Sequence, residues 1–494
     1  MTRPVAGLRV GVVGLGAMGR GIARLFATAG AAVTVLDVDP GVTRSGRDTL
    51  VEEAAAAGAP CAVAIAADLA DLVPRVDLLC EVVLEDLAVK AALLEDVRRL
   101  AGPDLVVATN TSSLSVDVLG QAYAHPERLV GLHFFNPPTR MRLVEVVAGT
   151  RTDDHVVDEA VAWVEELGQV PVRCVDSPNF IVNRICRPIY HEAALLVALG
   201  VAPESVDAVV RAVHGHRMGP LELLDRIGLH THLASSTSAY AELGDSRYGP
   251  VPYVRRLVRA GALGVRSGRG FYRYDDDTSP RERQAAAVVP PGPGAGRGVD
   301  VVGASASRLA SIARAGSDPV AVVAADVADD GSVRVAHELA ATGRDVVVDS
   351  SDAVWLAHLP PGAGMVHLHH AGPGWFAERV VDDVARLGGE AAVTAVLSAT
   401  AAPSVAVPAL PGLVADRLSD CLVNEATVVV QEGIATVEDV NTALRYGMNH
   451  PHGPFELLDS SGPATVVARL RAMQAASGDD RYRPSSYLQR RSRA

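Results

Sequence analysis

Lysine is almost absent from this chain. Of 45 lysines and arginines, only Lys90 is a lysine. A coding sequence rich in G and C produces such arginine and alanine usage, so the single lysine is either required as an ammonium or accidental. Aromatic residues are also scarce, at 4 %, and the core has to be built from Ala, Val and Leu. Apart from a short arginine-rich end at 489–493, no basic run interrupts a net charge of −13. Nucleic acid is therefore not expected as a partner. No apolar stretch is long and uninterrupted enough to span a bilayer, so no membrane partner is expected. No charged-then-apolar leader precedes the first strand. The five cysteines (Cys61, Cys80, Cys174, Cys186, Cys421) are odd in number and form no C-x-x-C. They read as small buried thiols of a reducing, cytoplasmic compartment, and no metal is expected.

What is present begins at the N-terminus. Residues 8–13 read as a short buried strand that runs into Gly14-Leu-Gly16-Ala17-Met18-Gly19-Arg20-Gly21 and then a helical pattern through Ile22, Leu25 and Phe26. This is G-x-G-x-x-G between a strand and a helix, the context in which the motif binds a dinucleotide. Gly14 makes the tight turn, Gly16 lets backbone approach the pyrophosphate, and Gly19 lets the helix pack on the strand. A second strand, 32–36, ends in Asp37. A carboxylate about 20 residues past the loop bonds the ribose hydroxyls of NAD and repels the 2′-phosphate of NADP.

Downstream, His133 sits in Gly131-Leu-His-Phe-Phe-Asn136-Pro137, and Glu145 follows in Leu143-Val-Glu-Val-Val147. A base titrating near neutrality with a carboxylate to orient it can take a proton from an alcohol while hydride leaves the same carbon. Each residue also has a plainer reading. A lone histidine after an apolar strand is commonly a satisfied core residue. A carboxylate in an apolar strand needs a partner whatever its function.

Residues 1–175 alternate strands and helices as a doubly wound sheet does, with strands expected at 8–13, 32–36, 76–80, 105–108, 129–133, 143–147 and 170–174. Residues 176–275 change to long apolar-periodic runs and read as packed helices. Residues 276–298 have the composition of a linker. Residues 299–405 carry short Val-rich runs (319–325, 345–349, 393–397) and no glycine fingerprint, so they read as a small degenerate α/β module without an evident site. The segment 406–494 repeats the helical part. Ser177-Pro-Asn-Phe-Ile-Val-Asn183-Arg184 is echoed by Leu410-Pro-Gly-Leu-Val-Ala-Asp416-Arg417, and Met218-Gly-Pro-Leu-Glu-Leu-Leu-Asp225 by His452-Gly-Pro-Phe-Glu-Leu-Leu-Asp459. The fold class expected is a Rossmann-like doubly wound domain, an all-α domain, a degenerate α/β module and a second copy of the helical domain.

Six segments together resemble the 3-hydroxyacyl-CoA dehydrogenase family. They are the 14–21 loop, Glu81-Val-Val-Leu-Glu85 with Lys90, Thr109-Asn-Thr-Ser112-Ser-Leu114, His133–Pro137, Leu143–Val147 and Ser177–Arg184. The match covers 1–275, and the repeat extends it to the C-terminus. The resemblance implies NAD-dependent chemistry at C3 of a 3-hydroxyacyl thioester. His133 would be the acid/base and Glu145 the holder of its tautomer. Ser112 and Asn183 would orient the substrate and the dyad. Gly14, Gly16, Ala17, Met18, Gly19 and Asp37 would hold NAD, with Asn136, Lys90 and Glu85 at its nicotinamide and ribose end.

The chain departs from the family pattern in two places. The stretch between Asp37 and Glu81, where the family carries a long helical hairpin that contacts CoA, is short (41–72) and lacks lysine. Thr139-Arg140 replaces an apolar pair, and Arg140 either meets a substrate carboxylate or phosphate or sits at the surface. Two alternatives to an acyl-CoA substrate stay open: the same chemistry on an acyl-carrier-protein thioester, or a non-catalytic NAD-binding protein on this scaffold. The helical copies are expected to pack on each other as an intramolecular pseudo-dimer or, failing that, between chains as a homodimer.

Overall fold

The computed structural model describes residues 3–59, 61–292, 297, 299–303, 306–313, 319–324, 330–350, 359–361, 363–371, 373–381 and 389–493. The chain divides into two compact units. One holds residues 1–184 and 429–453, and the other holds 185–428 and 454–494.

The first unit is built on eight strands: β1 (Arg9–Val13), β2 (Ala32–Leu36), β3 (Val63–Ile65), β4 (Leu78–Glu81), β5 (Val106–Thr109), β6 (Leu129–Phe134), β7 (Leu143–Ala148) and β8 (Val170–Val175). Every expected strand of this region forms, within two residues of its expected ends. The three-residue β3 was too short to show in the pattern. The order is β3-β2-β1-β4-β5-β6-β7-β8, parallel throughout except for β6 against β7. Strands buried on both faces need near-continuous apolar runs. That is why β4, β5 and β6 are mostly apolar runs rather than alternations, and all three are buried throughout. Between Asp37 and β4 stand one long helix, Pro40–Ala56, then β3 and the short helix Leu69–Leu72.

The first unit also recruits residues that the sequence assigned to the second helical copy. The helix Val437–Met448 packs on β7 and β8. The Val175 amide donates to the Ile434 carbonyl at 3.0 Å, and Arg184 pairs with Glu432 at 2.7 Å. Gly447 permits the close approach: a Cβ there would lie 2.6 Å from a Leu143 methyl. Residues 406–428 and 454–494 therefore fall in the second unit and 429–453 in the first.

In the second unit, six strands form a second sheet: β9 (Val299–Val302), β10 (Val320–Ala324), β11 (Val346–Asp349), β12 (Gly364–Ala371), β13 (Gly374–Val380) and β14 (Ser404–Val407). The order is β14-β13-β12-β11-β10-β9, again with one antiparallel pair, β12 against β13. The run 393–397 is not a strand but the middle of the helix Glu390–Thr400. The last residue of the run 319–325 lies outside the described residues. The segment 276–298 is not all linker. Ser279 and Glu282 make a reciprocal capping box, Pro280 occupies the first turn, and a helix runs Pro280–Ala287. The neighbouring Asp, Pro and Gly masked that signal. Residues 293–296 and 298 of this segment lie outside the described residues.

Helices of the two sequence repeats meet inside the second unit through reciprocal contacts. Tyr248 donates to Glu425, and Arg247 reaches Glu425 at 3.2 Å. Tyr482 donates to Glu192 at 3.0 Å, and Arg417 pairs with Glu192. Among the described residues no helix is long and apolar enough to cross a membrane. No disulfide joins the five cysteines, and burial pushes the Cys80 thiol up to about 12, so it stays protonated and inert.

Candidate active site

The glycine loop has the geometry its sequence calls for. Gly14 has a φ of 97°, and a Cβ on it would stand 2.5 Å from the Val82 carbonyl oxygen. A Cβ on Gly19 would stand 1.8 Å from the Gly14 carbonyl oxygen, whereas Gly16 faces open space. The helix Ala17–Thr28 begins at Gly16 with no side chain capping it. Its first amides are therefore left to an anion, as a pyrophosphate site requires. Ala17 is exposed and Met18 half-buried at this mouth. Asp37, at the end of β2, accepts the Leu15 amide at 2.8 Å through one carboxylate oxygen and so ties the loop to the second strand. These residues fit NAD: the cradle rejects a side chain at Gly14 and Gly19 and is bare at Gly16.

His133 and Glu145 are register partners across β6 and β7. The pair is buried, with Glu145 at 0 % exposure, and His133 Nδ1 lies 2.6 Å from Glu145 Oε2. An ionised carboxylate only accepts, so Nδ1 is the donor of this contact. The second oxygen of Glu145 accepts the amides of Ile181 and Val182 at 3.1 and 2.8 Å, which fixes the carboxylate from both sides. The turn that presents those amides is unusual: Asn179 and Phe180 both take positive φ, 64° and 52°. Asn183, half-buried, is the second residue of the helix Val182–Ala198 that follows. Phe135 and Phe180 flank the imidazole at 4.6 and 5.8 Å between ring centres.

Ser112 lies in a turn after β5 that is organised by Glu85. This carboxylate accepts Thr111 Oγ1, the Ser112 and Ser113 amides and the Ser113 hydroxyl at 2.8–3.0 Å, with Ser112 Oγ at 3.2 Å. Burial would raise the Glu85 carboxyl, but Lys90 and these donors hold it below the usual range. The lone lysine is itself buried: Lys90 Nζ stands 2.7 Å from Glu81 and 3.4 Å from Glu85. It therefore meets the surrounding turn through the two glutamates. Asn136 and Arg140 are exposed on the turn after β6. The sequence reading quoted Glu81 and Asn110 within matching segments but gave neither a role; the Asn110 side chain accepts the Phe134 amide at 2.9 Å and pins the strand end that carries His133. No spacing signal marks either residue, because both act across the sheet.

A glycine loop bare at Gly16 and a buried His133–Glu145 pair thus lie on one doubly wound sheet. Comparisons with known proteins supply the class. Residues 9–177 match the NAD-binding domain of 3-hydroxyacyl-CoA dehydrogenase. Residues 180–274 and again 412–494 match its C-terminal domain. The chain is 32 % identical over 496 residues to the 3-hydroxyadipyl-CoA dehydrogenase of Escherichia coli (strain K12), spanning 98 % of this chain and 97 % of that one. It is 40 % identical over 285 residues to the 3-hydroxybutyryl-CoA dehydrogenase of Mycobacterium tuberculosis (strain ATCC 25618 / H37Rv), spanning 54 % of this chain and 98 % of that relative. The crystal structure of 3-hydroxybutyryl-CoA dehydrogenase from Escherichia coli K12 superposes with a TM-score of 0.79 at 27 % identity, covering 98 % of each chain. The chain belongs to the 3-hydroxyacyl-CoA dehydrogenase family. It is an NAD-dependent enzyme of that family.

Proposed function

We propose that His133 Nε2 takes the proton of a C3 hydroxyl and returns it when a 3-ketoacyl thioester is reduced. The observation that carries this reading is the buried 2.6 Å contact between His133 Nδ1 and Glu145. Glu145, anchored by two backbone amides, holds one tautomer and stabilises the imidazolium once the proton arrives. Bound NAD supplies the hydride acceptor. Gly14, Gly16, Ala17, Met18, Gly19 and Asp37 hold its dinucleotide. Glu85, with Lys90 behind it, and Asn136 define the nicotinamide and ribose end. Ser112 and Asn183 orient the substrate oxygens, and the exposed Arg140 meets a carboxylate or phosphate of the substrate. The substrate is a CoA thioester, as the names of the relatives support, with the six-carbon dicarboxylic acyl group of the full-length relative as the first candidate. The test is NADH oxidation with acetoacetyl-CoA, 3-ketoadipyl-CoA and the same acyl groups on carrier protein. Turnover is expected with a CoA thioester, and absence of turnover with every CoA substrate would refute the assignment.

We further propose that 406–494 is a second copy of the helical domain 176–275, that 299–405 is a degenerate copy of the α/β domain, and that the copies form an internal pseudo-dimer. The reciprocal pairs support this reading. Glu192 meets Tyr482 and Glu425 meets Tyr248, as a two-fold, isologous interface requires.

A further inference from the structure

The catalytic frame recurs in the second sheet with its chemistry changed. His367 and Glu378 are register partners across β12 and β13, as His133 and Glu145 are across β6 and β7. Glu378 accepts the amides of Val414 and Ala415 at 2.7 and 3.1 Å, as Glu145 accepts those of Ile181 and Val182. The preceding turn again bends through positive φ, at Gly412 and Leu413. Two side chains differ. Where the first frame has Phe135, two residues after its histidine, the second has His369. Where the first has Asn183 at the helix start, the second has Asp416. An amide and a phenyl ring have been replaced by a carboxylate and an imidazole.

We propose that His367, His369 and Asp416 form a divalent-metal site suited to zinc. One ligand atom from each residue lies within 4.8 Å of the other two, and two imidazoles with one carboxylate are a zinc donor set. His367 Nε2 and Asp416 Oδ2 stand 3.0 Å apart. Two donors at zinc bond lengths on a tetrahedral ion are about 3.3 Å apart, so this pair has to open by only a few tenths of an ångström. The widest pair has to close by up to about 1.5 Å, which side-chain rotation supplies.

The surroundings are those of a metal centre. A metal-bound histidine turns its other ring nitrogen to a carboxylate, which fixes its orientation. His369 Nε2 is bonded to Glu378 Oε1 at 2.9 Å, which leaves Nδ1 to ligate. His367 Nδ1 faces Asp349 Oδ1 at 3.4 Å. It is a buried nitrogen without a properly aligned hydrogen bond, on a residue only 5 % exposed.

Charge argues the same way. Four buried or nearly buried carboxylates, Asp349, Glu378, Asp416 and Asp420, share this region. The guanidinium of Arg469 commits its fork to Asp420 at 2.7 Å twice and makes a 3.0 Å bond to Asp416. Carboxylates gathered in a low-dielectric interior are costly unless cations accompany them. A divalent ion compensates two such charges. The site is structural, since it joins β12 to the start of the helix Ala415–Gln431.

The experiment uses the full, untagged chain, loaded with zinc or cobalt(II), desalted and analysed for metal. About one equivalent per chain is expected, with a cobalt absorption pattern of tetrahedral geometry and a rise in Tm of about 3–5 °C over the chelator-treated protein. The His369→Phe and Asp416→Asn variants, which restore the residues of the first frame, should each lose the metal and the chelator-sensitive Tm shift while NADH turnover stays within twofold. Retention of less than a tenth of an equivalent by the wild type, or equal metal content in both variants, would overturn the proposal in favour of a purely ionic cluster. If a variant fails to fold, wild-type stoichiometry and the cobalt spectrum still decide between the two.

Discussion

Tyr482 donates its hydroxyl to Glu192 at 3.0 Å across 290 residues of sequence, and Arg417 binds the same carboxylate oxygen and the Tyr482 hydroxyl. Both charged side chains are almost fully buried, at 4 % and 1 % exposure. Removing one partner of a buried ion pair leaves an uncompensated charge and costs about 3–5 kcal/mol. Arg417→Met should therefore lower Tm markedly in the full chain, while the conservative Tyr482→Phe should cost about 1 kcal/mol. Deleting residues from 299 onward should expose the apolar faces of the first helical copy and cause aggregation or dimerisation. A 1–275 fragment that is monomeric, soluble and fully active would show that the copies do not need each other.

Replacement of the base is the sharpest test of the mechanism. His133→Ala should reduce kcat by about 10²–10⁴ with little change in NADH affinity. Glu145→Gln should lose activity for a different reason: an amide can present its NH₂ to Nδ1 and favour the wrong tautomer. A His133→Ala enzyme with near-normal kcat would exclude this residue as the base.

Cofactor choice tests Asp37. Its carboxylate lies at the loop, one oxygen bound to the Leu15 amide, and a 2′-phosphate nearby would be repelled in a partly desolvated site. Steady-state comparison should show NADH strongly preferred. Equal or better use of NADPH would mean that Asp37 does not face the ribose.

Acid sensitivity is expected from the helical part of the second unit. His191 bonds the Arg247 carbonyl and the Ser236 hydroxyl, each at 3.0 Å. Burial pushes it down to about 3, against the raising effect of the Arg247 carbonyl. Below about pH 6.5 the unfolded chain takes up a proton that the folded one refuses until about pH 3, so this group's contribution to stability falls with pH across that window. Thermal melts between pH 7 and pH 4 should show a weaker pH dependence for His191→Gln than for the wild type. Identical slopes would show that His191 does not govern acid lability.

Much of the site was legible because it rests on local rules. The strand–loop–helix at 9–28 and the acid after the second strand follow from spacing alone, and the structure places Asp37 on the loop itself. The His133–Glu145 pairing was less direct. Both residues stand in apolar strands, and only the antiparallel register of β6 and β7 brings them opposite each other. Lys90 shows the limit: its rarity marked it, but its burial between Glu81 and Glu85 depends on side chains from separate elements.

The sequence by itself determined the main strands of the first 175 residues apart from β3, the strand–loop–helix at 9–28 and the internal similarity of 177–225 to 410–459, since periodicity, glycine conformation and self-similarity are properties of the chain read locally. Only the tertiary structure decided that Val437–Met448 packs on β7 and β8, and that Glu192 and Glu425 are met by Tyr482 and Tyr248. It also brought His367, His369 and Asp416 together. These are contacts between residues far apart in sequence, and a buried charge or imidazole takes whichever partner the packing brings to it.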